Sequence, residues 1–121
     1  MANEITISGS ISGTKPGAVE SFSVSGLTVT MTGTDYVKRT QTVGTGEEAL
    51  VMLDAGTPGF CVIKNLDAPN YVEVRQGTGV ADLIRINAGE FALFRFAADA
   101  TAPYVIANTA SCIVEYLLFE A

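Results

Sequence analysis

The stretch from residue 58 to residue 96, PGFCVIKNLDAPNYVEVRQGTGVADLIRINAGEFALFRF, carries the strongest architectural signal in the chain. Apolar runs begin near Phe60, Tyr71, Leu83 and Phe91 and continue with runs near Tyr104 and Cys112, so the spacings are 11, 12, 8, 13 and 8 residues. Between them lie Asp67-Ala-Pro-Asn70, Gly77-Thr-Gly79, Ala88-Gly-Glu90 and Ala100-Thr-Ala-Pro103. Each supplies residues that turns demand: proline presets φ, glycine accepts positive φ, and Asp or Asn bonds to nearby backbone. Short apolar runs at this spacing mark an all-β sandwich or barrel. No window keeps apolar residues at i, i+3, i+4 and i+7 without glycines or strand formers breaking in, so helix content should be small. The expectation is an all-β, two-sheet β-sandwich, jelly-roll-like, with about nine or ten short strands, and a meander-built barrel as runner-up.

Upstream, Ile5, Ile7 and Ile11 alternate with Thr6, Ser8, Ser10 and Ser12, the period of a strand with one apolar face. After the turn-like Gly13-Thr-Lys-Pro-Gly17, Phe22 and Val24 sit at even positions, whereas Leu27, Val29 and Met31 sit at odd ones. A slip of one residue turns the apolar side outward unless an extra residue is absorbed, which predicts a β-bulge or sharp bend near Gly26. Gly33-Thr-Asp35 ends this run. Tyr36–Val43 is β-rich but polar at most positions, which suits an exposed or edge strand defended by Lys38 and Arg39. Gly44-Thr-Gly46 then turns the chain. The last run, Cys112–Phe119, is apolar on both faces apart from Glu115 and should be covered twice, as a central strand or with one side against another subunit.

A chain of 121 residues fits one domain, 1–121, with residues 1–12 either an opening strand or an N-terminal arm that adds a strand to a neighbour. Apolar residues make up 48% and charged residues 17%, a globular composition. With no histidine and no tryptophan, imidazole-based nucleophile systems and general bases, Cys/His zinc sites and the strongest sugar-stacking platform are absent. The composition points away from an enzyme and from any metal or cofactor. A net charge of −6 repels phosphate backbones and anionic membrane surfaces, so neither nucleic acid nor membrane is an expected partner. No run reaches the ~18 apolar residues of a membrane span, and MANEITISGS lacks a basic-then-apolar leader, so a protein made and kept in soluble form is expected. Cys61 and Cys112 each sit in an apolar run and read as buried free thiols.

Most motif matches dissolve on physical grounds. Gly44-Thr-Gly46-Glu-Glu-Ala49 has the letters of a dinucleotide loop, but Glu47 and Glu48 would repel a pyrophosphate, and a plain turn is expected. Glu73, Glu90 and Asp99 read as solvated carboxylates rather than a glycosidase pair. The turn Asp54-Ala-Gly-Thr-Pro-Gly59 shows one carboxylate where calcium needs six or more oxygens. Arg75, Arg85 and Arg95 are ten residues apart near the ends of three successive expected strands. They are read either as a guanidinium stripe facing carboxylates across a subunit contact or as unrelated surface arginines paired to Glu73 or Glu90.

Four phrases carry a resemblance: GTGEEAL at 44–50, PGFCVIKNLDAPNYVEV at 58–74, INAGEFALFRF at 86–96 and ANTASCIVEYLLFEA at 107–121. They resemble small virion structural proteins of tailed bacteriophages. The resemblance implies a non-enzymatic capsid cement or decoration protein on the capsid surface of the virion, bridging and stabilising neighbouring major capsid subunits, with a tail, adaptor or host-recognition component as the alternative. It also implies a homo-oligomer, a trimer in the first instance. The expected interface residues are Ile5, Ile7, Ile11, Arg75, Arg85, Arg95, Leu117 and Phe119.

Overall fold

The computed structural model describes residues 3–75, 77–97 and 103–121, and every regular element among them is a β-strand. In chain order these are β1 (Ile5–Lys15), β2 (Ala18–Val29), β3 (Tyr36–Val43), β4 (Glu48–Ala49) and β5 (Pro58–Asn65), followed by β6 (Val72–Arg75), β7 (Ile84–Ile86), β8 (Phe91–Arg95), β9 (Tyr104–Ala107) and β10 (Cys112–Glu120). The chain divides by its contacts into two compact units, Met1–Thr32 and Gly33–Ala121. Among the described residues the hydrophobic core cluster lies wholly in the second unit.

The first unit is a long antiparallel hairpin. Its ladder runs from Ile5↔Val29 to Lys15↔Ala18, so only Pro16 and Gly17 remain for the turn, tighter than the five residues the sequence suggested. Gly17 sits at φ 88°, which glycine adopts without the Cβ penalty other residues meet, and Pro16 presets the preceding position. The expected bulge is present. Ile7 faces Leu27 and Gly9 faces Val24, two steps on β1 against three on β2, so β2 absorbs the extra residue. Gly26, at φ 64°, donates its N–H to Ser8 Oγ at 2.9 Å within that irregularity.

The second unit holds two four-stranded antiparallel sheets, ordered β3-β10-β5-β8 and β4-β9-β6-β7. Apart from β6 and β7, successive strands alternate between the sheets, and the central β10 and β9 arrive last. Numbered within the unit, the two orders are 1-8-3-6 and 2-7-4-5, the jelly-roll arrangement of paired Greek keys. The fold is thus all-β and sandwich-like, with eight strands in the sandwich and two in the hairpin.

Alternation fills the space between the sheets. Val37 and Val43 of β3, Cys61 and Ile63 of β5, and Cys112, Val114, Tyr116 and Leu118 of β10 are buried from one side. Val72 and Val74 of β6, Ile86 of β7, and Val105 and Ala107 of β9 meet them from the other. Burial of each such aliphatic side chain contributes about 1.5–3 kcal/mol, which makes this layer the main source of stability. β3 lies at a sheet edge with Lys38 and Arg39 exposed, as its polar sequence required.

Three polar groups are built into this apolar structure. Asn65 is fully buried, and its amide nitrogen donates to Asn70 O at 2.9 Å and to Ile86 O at 3.1 Å while its Oδ1 accepts from Asp67 N at 2.9 Å. Asn65 lies on one sheet and Ile86 on the other, so a single side chain joins them. Tyr116 is buried with its hydroxyl donating to Val51 O at 2.6 Å. The Glu120 carboxylate accepts from Thr34 N, Asp35 N and Gly56 N, tying two loops to the end of β10.

Within this chain β10 is covered on one face. β10 is central, between β3 and β5, but only its inner row is covered: Ile113 on the outer row is 49% exposed, and Leu117 and Phe119 beside it are half-buried. The pattern that demanded two covered faces finds one within this chain.

Candidate assembly surfaces

Away from its turn the hairpin sorts its side chains by face; nearer the turn Glu20 joins the apolar side and Val19 faces Thr14 on the other. Residues directly opposite in a ladder point to the same face. Ile5/Val29, Ile7/Leu27, Gly9/Val24 and Ile11/Phe22 therefore share one face, and Thr6/Thr28, Ser10/Ser23 and Ser12/Ser21 share the other. The bulge makes this possible, because in a regular ladder of the same residues Phe22 and Val24 would fall among the hydroxyls. Ile5 is buried, but Ile11 and Phe22 are 71% and 68% exposed. The base of the hairpin is closed by Asn3 N donating to Thr30 Oγ1 and Met31 N donating to Glu4 Oε2, each at 3.1 Å.

Residues 1–12 were expected either to open the sandwich or to serve as an arm. In the structure Ile5 to Ser12 pair with β2, outside both sandwich sheets, and the strand continues to Lys15. Ile5, Ile7 and Ile11 occupy one row along it.

The three arginines do not form one stripe. Arg75 and Arg85 lie on β6 and β7 of one sheet, whereas Arg95 lies on β8 of the other. Arg75 is gripped from two sides, its Nη1 donating to Glu47 and its Nε and Nη2 to Asp82. Gly79 N adds a bond to Glu47 at 3.1 Å, and Arg75 with that amide holds the Glu47 carboxyl below its ordinary value. Arg85 faces Glu73 across the β6–β7 ladder at 3.4 Å and lies 3.9 Å over the Tyr71 ring, while Arg95 lies 4.4 Å over Phe60. Arg75 and Arg95 nonetheless line a common cleft of about 220 Å³ between the sheets, with Leu83, Ile84 and Phe94. Arg85 does not reach it. Arg75 and Arg95 close their strands while Arg85 is the middle residue of β7, so a spacing of ten did not determine the sheet.

Leu117 and Phe119 lie on the outward row of β10, where Phe119 faces Tyr36 with ring centroids 6.3 Å apart. Of the carboxylates, Glu73 faces Arg85, and Glu90 accepts from Asn87 N in its turn. Asp99 and most of the 100–103 turn lie outside the described residues. Among the described residues no group of three His, Cys, Asp or Glu side chains is arranged to hold a metal ion. Gly44–Ala49 is a turn leading into β4, with no helix after it.

Sequence reasoning missed Asn65 and Glu120. Asn65 was legible only as the last residue before a turn, and Glu120 as a charge closing an apolar run; their partners at Ile86 and at Thr34 lie too far along the chain for local pattern to pair them.

Comparison with protein-family models, with curated proteins and with solved structures finds no match to this chain. Fold and surfaces define an all-β protein of sandwich type with a separate amphipathic hairpin.

Proposed function

We propose that this chain is a non-enzymatic virion structural protein, a cement or decoration subunit on the capsid surface that bridges neighbouring major capsid subunits. The observation that carries the reading is the hairpin. A two-stranded hairpin is marginal in water by itself, and this one exposes Ile11 and Phe22 along one face and, among the described residues, pairs neither edge with a further strand. Such an element gains its stability by packing on, or adding strands to, another chain. The four sequence phrases that resemble phage virion proteins give the kind of neighbour.

The mechanism is mechanical. The jelly roll has its own core, and β1 of the hairpin is eleven residues long, about 37 Å at ~3.4 Å per residue. Burying its apolar face on an adjoining subunit while the body rests on another makes removal of either more costly. Repetition around a symmetry axis, in a homo-oligomer such as a trimer, turns several weak contacts into a firm one.

The test uses Ile11→Ser with Phe22→Ser, both exposed and so expected to leave the sandwich folded. Particles assembled with this variant should retain less of the protein and disrupt at lower temperature than those with the original chain. Unchanged retention and unchanged disruption temperature would overturn the hairpin's part in the reading.

A further inference from the structure

The outward face of the sheet β3-β10-β5-β8 combines two properties found together nowhere else among the described strands of the second unit. It is apolar in the middle: Leu117 of β10, Val62 of β5 and Leu93 of β8 lie in one register row, and Phe91, Phe119 and Ile113 extend it. Phe91 is 66% exposed and Leu93 47%. It is also basic: its outward positions include Lys38, Lys64 and Arg95 against Glu115, three cations to one carboxylate on a chain whose total charge is −6. The outward face of the other sheet differs, because there Arg75 and Arg85 are matched by Glu47, Asp82 and Glu73.

We propose that this sheet face docks on an acidic protein surface, an apolar patch rimmed by Asp or Glu on a neighbouring shell subunit. The proposal rests on the functional reading above and names the body's contact, as distinct from the hairpin's. Four strands at ~4.8 Å spacing and about eight residues at ~3.3 Å give a footprint of roughly 500 Å² before loops are counted, over half of the ~800 Å² per partner in a standard contact. Apolar rows exclude water in the centre while peripheral charges select and steer the partner. Two other occupants fit less well. A second copy seated face to face by a two-fold axis would set two faces of the same net positive charge against each other. A nucleic acid would meet a mostly aliphatic surface on a strongly acidic chain, with too few cations to offset the repulsion.

The experiment measures co-sedimentation of the full chain with shells purified without it, at low and high salt. The charge-reversal variant Lys38→Glu/Lys64→Glu/Arg95→Glu and the separate variant Leu93→Ser are compared with Thr78→Glu in the exposed loop after β6, all checked for an unchanged melting temperature. Binding should weaken at high salt, fall at least about tenfold in the triple variant and in Leu93→Ser, and stay within about twofold in Thr78→Glu. Shell binding by the triple variant equal to that of the original chain would overturn the docking face and leave the functional reading standing. Absence of shell binding by the original chain would sink both. If the isolated protein forms a dimer that the triple variant abolishes, or if it binds DNA through these cations, the face belongs to another occupant and the proposal fails.

Discussion

Gly26 donates its backbone N–H to the hydroxyl of Ser8 at 2.9 Å, across a ladder in which one residue of β1 faces two of β2. This local irregularity places Phe22 and Val24 on the same side as Leu27 and Val29. Everything ascribed to the hairpin depends on that bookkeeping of faces.

Deleting Gly26 should therefore be milder for the hairpin than substituting it. The deletion removes the extra residue, so Ser8 faces Ser25 alone and Phe22, Val24, Leu27 and Val29 alternate regularly on one face. Gly26→Val keeps the bulge but forces a β-branched residue to φ 64°, costing on the order of 1–2 kcal/mol of hairpin stability. Cross-strand nuclear Overhauser contacts check this: Ile11–Phe22 and Ile7–Leu27 should both persist in the deletion, and loss of either would show that the shared face needs the bulge itself.

Glu120 provides a pH signature. Backbone donors at Gly56, Thr34 and Asp35 hold its carboxyl below the ordinary value of 4.5, so the folded state gives up that proton more readily than the unfolded chain. The stability it contributes is complete above the unfolded value and is lost as pH falls through the lower folded one. Gly33 makes room for this carboxylate; a Cβ there would overlap it. Glu120→Gln should lower the urea midpoint at pH 7 and leave a flatter dependence below about pH 4.5. Parallel curves for the two proteins across that range would show that the carboxylate does not act this way.

Asn65→Leu removes two donors and an acceptor from a fully buried site and leaves Asn70 O, Ile86 O and Asp67 N without that partner. Of these bonds the one to Ile86 O is buried and the other two are part-buried, so a loss of about 1–3 kcal/mol is expected, read as a shift in denaturant midpoint. Ile63→Ala, at a fully buried site in the same strand, should cost about 2–5 kcal/mol and serves as the apolar standard.

Both cysteines should be silent until the protein unfolds. Burial pushes the Cys61 thiol up to about 12, and burial with the nearby Asp67 raises that of Cys112. At pH 8 neither presents thiolate or an open approach. A thiol-specific chromogenic reagent should count none in the native protein and both in guanidinium; fast native labelling would place a cysteine at an opened edge.

Local features were the legible part of this sequence. β3 begins and ends at Tyr36 and Val43 as its pattern indicated, and the bulge near Gly26 followed from a change of parity alone. Each of these is written within a dozen residues. Strand order is a property of pairing between distant segments, so nothing local told β10 to lie between β3 and β5. The arginine series shows the same limit. A jelly roll sends β7 and β8 to different sheets, so an even spacing along the chain placed Arg85 and Arg95 on different sheets. The apolar outer row of β10 was visible as an excess of hydrophobic residues, but the sequence could not say that it would be left open.

The most direct measurement is the number of copies of this chain in purified mature particles from the genome that encodes it, by quantitative mass spectrometry with labelled peptides. The account predicts an amount in near-stoichiometric relation to the major capsid protein, with density for the jelly roll on the outer shell in images of the same particles. A handful of copies confined to the tail, or consistent absence from mature particles, would contradict it.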